Sequence, residues 1–366
     1  MMLLGIFTVL YLIVLALQVF IPYLVKETIV FGVTVPEQYR KHPSLKKAKK
    51  LYTRVMIYVG LTLLFIMLVM HWKMTFSEPI QGILFICVMF GMLAVSMILY
   101  WINHSKISKL KKAEQWGQNL KQVRAVDLTA RNRDEMLPWP FFVAPMAITA
   151  FLIVFTWLNY DLMPNNLAVH WGPSGEADDW VEKTYFTVFS LPVVMLMMQC
   201  MMWGIVDSIK RSAIKLAVHH KEASLESQLK TRKFASWFVM LISYSITVLL
   251  TILQLSNIYP ELAQGKKLLP LFILFLVVEL SGVFMLVWKM RKGRLNYTDN
   301  TTLGVTDVDE DRYWKGGLIY VNREDPSIFV EKRFGVGWTM NFANPRGYIV
   351  FILPLVVLLL VSIFSL

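Results

Sequence analysis

The chain has 366 residues, of which 56% are hydrophobic and only 17% are charged, and its mean hydropathy is +0.52. These values exclude a soluble globular protein and predict several membrane spans. The net charge of +12 is typical of basic loops on the inner side of a membrane, so we do not expect nucleic acid as a partner. The two cysteines, Cys87 and Cys200, lie in apolar runs and predict no disulfide framework.

Runs of about 20 apolar residues predict an all-α polytopic integral membrane protein with about eight transmembrane helices in the lipid bilayer. The predicted spans are 3–25, 55–71, 80–102, 141–157, 185–205, 235–255, 268–288 and 348–366. The first run lacks a basic leader and a small-residue cleavage site, so we interpret it as a retained span.

The basic residues predict how the chain is threaded. The connections 26–54, 103–140, 206–234 and 289–347 hold 33 of the 37 Lys and Arg residues, and the intervening connections 72–79, 158–184 and 256–267 hold the other four. Because basic loops remain in the cytoplasm, both termini and the loop 158–184 are predicted to lie outside a cell membrane that the chain crosses several times.

These predictions divide the chain into four parts. Residues 1–140 form an N-terminal three-helix membrane region with basic cytoplasmic loops, and 141–288 form a four-helix region that carries the outer loop 158–184. Residues 289–347 form a small cytoplasmic β-meander, with strands predicted at 317–322, 327–332 and within 333–342, after a polar linker at 296–311. Residues 348–366 form the last transmembrane helix.

The outer loop carries the most distinctive pattern. Its candidate motif consists of Pro164, His170, Trp171, Gly175, Asp178 and Trp180. One interpretation is a cation or proton site, at which His170 converges with the carboxylates of Glu176, Asp178 and Asp179. The other is a self-capped loop with two turns and with tryptophans at the membrane interface. We favour the second, because no strong metal-ligand spacing is present, and we predict no metal site.

The order of these motif residues resembles the domain of unknown function 1648, which occurs in SdpI-like bacterial membrane proteins. Met163 stands where that pattern has Leu, and Ala168 stands where it commonly has Pro. The resemblance implies protection from a secreted toxic peptide, or retention of a signal regulator at the membrane. It therefore implies a secreted peptide or a cytoplasmic regulator as partner.

A second resemblance covers 314–346, which includes the run Gly-Gly-Leu-Ile-Tyr-Val-Asn and the run Lys-Arg-Phe-Gly-Val-Gly-Trp. This segment is similar to the domain of unknown function 5808, a small C-terminal module that accompanies the outer-loop motif and that implies no named activity. The triplet Phe-Gly-Val also occurs at 31–33, a repeat that we attribute to chance.

Two polar features fall in otherwise apolar or basic segments. Glu279 lies in the seventh span and is followed by Ser281; we expect it to face the helix bundle, either as a buried hydrogen-bonding group or as a proton-linked or substrate-contacting acid. Its expected partners are the polar groups of span six, which are Ser243, Tyr244, Ser245 and Thr247, or Gln199 of span five. The pair His219-His220 is expected on a solvated helix that continues span five, since adjacent histidines point to different helix faces.

The absence of familiar catalytic motifs predicts that the protein is not an enzyme and has neither catalytic residues nor a cofactor. A small-solute or proton-linked transporter is the alternative to immunity or signalling, although no internal repeat is visible. The sequence leaves the oligomeric state open.

Overall fold

The computed structural model describes residues 2–74, 76–125, 129–172, 175–294 and 304–364. Within these ranges the chain forms eight α-helices. They are α1 Met2–Phe20, α2 Pro43–Lys73, α3 Glu78–Ala113, α4 Pro140–Leu158, α5 Tyr185–Arg211, α6 Lys221–Ile258, α7 Leu269–Arg294 and α8 Pro345–Phe364.

Helices α1 to α7 are each long and apolar enough to cross a membrane, which confirms the multi-pass prediction. Helix α8 occupies the last predicted span; it is not among these seven helices, so the eighth crossing stays a prediction. The 36 residues of α3 and the 38 residues of α6 correspond to lengths of about 54 and 57 Å at 1.5 Å per residue. Both helices therefore extend well beyond a hydrocarbon layer of about 30 Å.

The helices pack in two groups. Helices α1, α2 and α3 pack against one another, whereas α6 packs against α4, α5 and α7, and α5 also packs against α8. Polar side chains bridge each group, because a polar group in an apolar layer needs a partner. Gln199 of α5 accepts from Thr149 of α4 at 2.9 Å and donates to Thr247 of α6 at 2.8 Å.

The described β-structure consists of five two-stranded sheets. Their strands are β1 Ile29–Val30, β2 Val33–Thr34, β3 Lys121–Val123, β4 Asn166–Trp171, β5 Ala177–Glu182, β6 Val305–Asp307, β7 Trp314–Lys315, β8 Ile319–Tyr320, β9 Phe329–Glu331 and β10 Trp338–Met340. The pairs β1–β2, β4–β5, β7–β8 and β9–β10 are antiparallel, and β3 pairs with β6 in parallel.

We call the two ends of the helices the hairpin end and the basic end. The hairpin end comprises the connections α2–α3, α4–α5 and α6–α7, and the basic end comprises the other four connections. Strands β4 and β5 lie at the hairpin end, and all the other strands lie at the basic end. The predicted outer loop is therefore a β-hairpin, a structure that the sequence interpretation did not include.

The predicted β-meander is wrong in its pairing. Strands β8 and β9 do not pair; the segment consists of two hairpins, joined by an isolated bridge between Tyr320 and Asn341. Asn341 explains the difference, because its buried carboxamide donates to the carbonyl groups of Asn322 and Asp325 at 2.8 and 3.0 Å. These bonds hold the connection between β8 and β9 as a loop. The predicted linker 296–311 falls partly outside the described residues, and its later part forms β6.

Two further expectations at the basic end are wrong. Helix α5 ends at Arg211 and α6 begins at Lys221, so the connection between them is not a helical extension of span five. His219 and His220, expected to be solvated, have side chains that are 5% and 6% exposed and lie within 4 Å of Glu37. Tertiary contact with the segment after β2, which local periodicity does not reveal, explains this burial.

Candidate functional site

The hairpin β4–β5 presents most of the residues singled out from the sequence. Leu167 pairs with Val181, and Ala168 with Trp180, before two register shifts near His170. Leu167 is buried in a small core with Val188 of α5 and Ile258 of α6. Because the inner side of the hairpin is apolar, it rests on the helix ends and turns its polar side chains away from them.

Two close contacts attach the hairpin to α6 and α7. The Asn257 carboxamide, at the end of α6, accepts from the Ala168 N–H at 3.1 Å and donates to the Ala168 carbonyl at 3.2 Å. Gly175 has φ +82°, and a Cβ at this position would lie 2.7 Å from the backbone nitrogen of Leu269 in α7. The motif glycine therefore permits a close approach that another residue would obstruct.

His170 and Asp178 form the one predicted contact that the hairpin brings about. His170 Nδ1 lies 2.5 Å from Asp178 Oδ1, and the two side chains are 66% and 53% exposed. Asp179 pairs with His170 through the backbone, and the Glu176 carbonyl accepts from the Gly172 N–H at 2.9 Å. The described part of the chain holds no group of three or more His, Cys, Asp or Glu side chains arranged to hold a metal ion.

The remaining motif residues have different environments. Pro164 and Trp180 are exposed, whereas the Trp171 indole N–H is enclosed and lacks a hydrogen-bond partner among the described residues. The predicted second turn, 172–175, includes Pro173 and Ser174, which lie outside the described residues. Lys183 donates to the backbone carbonyl groups of Tyr160 and Met163 at 3.2 and 2.9 Å, and so closes the base of the hairpin.

Glu279 lies on α7 and faces α6, as expected. Its Oε1 atom is enclosed without a hydrogen-bond partner in the residues described, and the Ser245 hydroxyl of α6 donates to the Leu241 carbonyl of its own helix at 2.7 Å. The Ser281 hydroxyl likewise donates within its own helix, to the Val278 carbonyl at 2.8 Å. Gly282 allows the close packing of α7 on Phe238 of α6.

At the basic end, sequence interpretation missed an ionic cluster centred on Asp311, whose basic partners are mostly buried. The carboxyl group of Asp311 forms an ion pair with Arg333, accepts from Lys111 at 2.7 Å, and accepts from the hydroxyl of Thr34 at 2.7 Å. The Arg333 side chain is only 5% exposed and also donates to the Gly32 carbonyl at 3.1 Å. We call this group the Asp311 cluster.

The Asp311 cluster has a definite electrostatic state. Burial acts to raise the pKa of Asp311, but the charges of Arg333 and Lys111 outweigh it and hold this pKa below its ordinary value. Four residues away, burial raises the pKa of Asp307, whose carboxyl accepts from the Val218 N–H at 2.8 Å. Neighbouring aspartates therefore have pKa values shifted in opposite directions.

A tight backbone contact lies beside the Asp311 cluster. The turn between β1 and β2 has positive φ at both Phe31 and Gly32, and a Cβ at Gly32 would lie 2.8 Å from Cα of Gly317. Phe31 stacks on Phe334 with ring centroids 6.1 Å apart. The two Phe-Gly-Val triplets of the sequence therefore contribute to one core, which joins the first helix group to the C-terminal segment.

Only weak sequence signals pointed to the Asp311 cluster. Asp311 lies in an acidic run that is typical of linkers, and Arg333 lies in a basic pair that is typical of exposed loops. The partners Thr34 and Asp311 are 277 residues apart. No local pattern connects residues at that separation.

The architecture defines a multi-pass membrane protein with a polar hairpin at one end and a folded module at the other. Residues 147–196 match the model of a family described as "Domain of unknown function (DUF1648)", and residues 323–348 match that of the "Family of unknown function (DUF5808)". Both matches confirm the two domain resemblances drawn from the sequence. The first contains the whole hairpin with parts of α4 and α5, but not Asn257. Neither curated proteins nor solved structures yield a match.

Proposed function

We propose that the protein is a non-catalytic membrane receptor of the SdpI-like type. In this proposal the hairpin β4–β5 binds a secreted, membrane-active peptide outside the cell, and the basic end responds through a cytoplasmic regulator, which gives immunity or signalling. The observation that carries the proposal is that α5 and α6 each contact both ends of the molecule.

Contacts along α5 and α6 link the hairpin end to the basic end. At the hairpin end, Val188 and Ile258 pack against Leu167 of β4. At the basic end, Val206 and Ile209 of α5 share a core with Phe329 of β9, together with Met340 of β10 and Met240 of α6. A small shift of α5 relative to α6 would therefore change packing at both ends, as coupling between two sites requires.

The threading of the chain belongs to the same proposal. The excess of Lys and Arg at the basic end favours a cytoplasmic location for it, with the hairpin and both termini outside. The test is labelling of intact cells with an impermeant thiol reagent, after replacement of Cys87 and Cys200. Asn166→Cys in the hairpin is expected to react, and Gln118→Cys at the basic end is expected to react only after lysis; the reverse pattern would overturn the threading.

Function is tested by sensitivity to membrane-active peptides. Deletion of the gene is expected to raise the sensitivity of the cells to at least one secreted peptide, and wild-type protein is expected to restore resistance. The double variant His170→Ala/Asp178→Ala removes the exposed pair and is expected to fail in this complementation. Asp161→Asn, an exposed acid outside β4 and β5, serves as control. Unchanged sensitivity after deletion would refute the proposed function.

A proton-linked transporter is the second candidate, favoured by the enclosed Oε1 of Glu279. An acid in a membrane span is costly, by about 2.5–3.5 kcal/mol when charged, and is retained most readily where it has a role. Glu279→Gln keeps the size of the side chain and removes its proton exchange. Transport predicts that flux in reconstituted vesicles is lost in this variant but kept in Ser281→Ala; equal flux in all three proteins excludes a role for Glu279.

A further inference from the structure

Strand β5 has an open edge. The backbone of Ala168 in β4 points away from β5, because both its N–H and its carbonyl bond to Asn257. In an antiparallel pair, residues opposite each other point alike, either toward or away from the partner strand. Trp180, which lies opposite Ala168, therefore directs its N–H and carbonyl to the outer edge of β5.

The hydrogen bonds at the base of the hairpin support the same assignment. The Lys183 N–H donates to the Asn165 carbonyl at 2.7 Å, so this pair points inward. The backbone groups of successive residues in a strand point to opposite sides. Glu182 and Trp180, one and three residues before Lys183, therefore point outward. The Glu182 carbonyl accepts from the Thr187 hydroxyl at 2.8 Å, so this carbonyl is not available to a ligand. Trp180 therefore lies at the centre of the open edge.

The open edge is strongly acidic. The segment 158–184 contains five Asp and Glu residues and a single lysine, and that lysine, Lys183, is held by backbone carbonyls. Along β5, Asp178 and Asp179 precede Trp180 and Glu182 follows it, and all four residues are exposed. Within the described ranges, neither Asp179 nor Glu182 forms an ion pair with a basic side chain.

We propose that the edge of β5 binds a cationic peptide segment in extended form, which adds to the hairpin as a third strand. The backbone of Trp180 supplies the central hydrogen bonds, its exposed indole packs on an apolar residue of the ligand, and the acids on either side pair with lysine or arginine. Strand β5 is six residues long, with register shifts in its first half, so the segment recognised is at most about that length, or roughly 20 Å. This inference rests on the proposed receptor function and names the class of its ligand.

The first test uses three synthetic peptides and the unaltered full-length protein in a neutral detergent. The probe is a labelled octapeptide of alternating lysine and valine, and its binding is followed by fluorescence anisotropy. One derivative is N-methylated at the valines, which blocks one of its edges, and the other at every residue, which blocks both. The first derivative is expected to bind like the parent, and the second to bind at least about tenfold more weakly, since only the second lacks a free edge.

The second test changes the protein. Asp179→Asn/Glu182→Gln is expected to weaken binding of the parent peptide by about fivefold or more, because it removes two charges that flank the edge. Asp161→Asn/Glu261→Gln removes two exposed acids of the hairpin end that do not belong to β5, and is expected to leave binding unchanged. Trp180→Pro, which removes the outward N–H, is expected to abolish the difference between the parent and the fully methylated peptide.

Each outcome decides the proposal. Equal binding of all three peptides would mean that charge alone attracts them, and would overturn strand addition. An equal loss of peptide binding in both double variants would also overturn it. Absence of binding overturns it as well. If the His170→Ala/Asp178→Ala variant still fails to protect cells while no peptide binds at β5, the receptor function stands and only the assigned edge is wrong. If gene deletion also has no effect, both proposals fail.

Discussion

Asn257, at the hairpin end of α6, forms two hydrogen bonds with the backbone of Ala168, in the middle of β4. A carboxamide holds an N–H donor beside a C=O acceptor, so Asn257 can bond to both backbone groups of Ala168 and takes the place of a neighbouring strand at this point. The hairpin is thereby joined to α6 through a residue that lies 89 positions after Ala168 in the chain. This contact fixes which edge of the hairpin is covered and which is open.

Replacement of Asn257 should loosen the hairpin without unfolding the helices. Asn257→Ala removes two hydrogen bonds of about 1 kcal/mol each, so hydrogen exchange of the β4 amides is expected to be about 30-fold faster. Asn159→Ala is the matched control, because the Asn159 carboxamide bonds within its own helix end, to the Phe155 carbonyl. Equal acceleration in both variants would show that the Asn257 contact does not hold the hairpin.

Asp311→Asn is expected to destabilise the basic end. The variant leaves the guanidinium of Arg333, which is 5% exposed, without its carboxylate. The expected loss in the free energy of unfolding is about 2–3 kcal/mol, below the range for fully buried pairs because Asp311 is 31% exposed. The measurement is thermal unfolding followed by the fluorescence of Trp314, which is buried beside Arg333. Lys230→Gln, which breaks an exposed ion pair with Glu226, should have little effect.

The effect of Asp311 should depend on pH in a defined direction. Its pKa in the folded protein is below the ordinary value of 3.8, so its stabilising contribution is complete above 3.8 and is lost as the pH falls through the folded pKa. The difference in melting temperature between wild type and Asp311→Asn should therefore be constant from pH 8 to about pH 5 and shrink below about pH 4. A difference that grows on acidification would contradict the assignment.

The contribution of Asp307 to stability should depend on pH in the opposite direction. Burial raises the pKa of Asp307 above 3.8, so its contribution is greatest below that value and is lost as the pH rises through the folded pKa. Asparagine keeps the acceptor for the Val218 N–H and removes the buried charge. We expect unchanged stability at neutral pH, or a gain of up to about 1 kcal/mol. A loss as large as that of Asp311→Asn would refute this interpretation.

Gly32→Ala is expected to separate the first helix group from the C-terminal segment. Its Cβ would lie 2.2 Å from the Tyr100 hydroxyl and 2.8 Å from Cα of Gly317, and its φ of +77° is unfavourable for alanine. Tyr100 is fully buried and donates to the Gly316 carbonyl, so it cannot yield freely. We expect a loss of about 2–4 kcal/mol, seen as faster limited proteolysis within 304–342.

Gly335→Ala tests the cost of the left-handed backbone without a steric contact, and so separates the two causes of the loss of stability expected for Gly32→Ala. Gly335 has φ +90°, but no described atom lies within 4 Å of a Cβ placed there. Only the cost of the left-handed backbone, about 1–2 kcal/mol, is expected. If the two glycine variants are equally sensitive to protease, the close approach of Gly32 and Gly317 has no energetic weight.

The sequence predicted much of the helical frame and less of what lies between the helices. Seven of the predicted spans coincide with apolar helices because a span needs about 20 neighbouring apolar residues, which is a local property. The strands of the hairpin were missed because the segment Asn166–Trp171 is short and its apolar residues 167–169 are consecutive, so it lacks the alternation that indicates a strand. Its support comes from the packing of Leu167 and from Asn257. The contact between His170 and Asp178 was foreseen as one of two alternatives, and only the fold of the hairpin, with its irregular register, brings the two side chains together.

The amino-acid sequence by itself determined that the chain crosses a membrane several times, that its charge is concentrated at one end, and that it carries segments of two recognisable families. These properties depend on composition and on patterns within about 30 residues. Tertiary structure alone decided which groups meet: Thr34 with Asp311, Glu37 with His219 and His220, and Asn257 with Ala168. A charge or carboxamide carries no mark of its partner, because only the folded chain brings residues tens to hundreds of positions apart into contact.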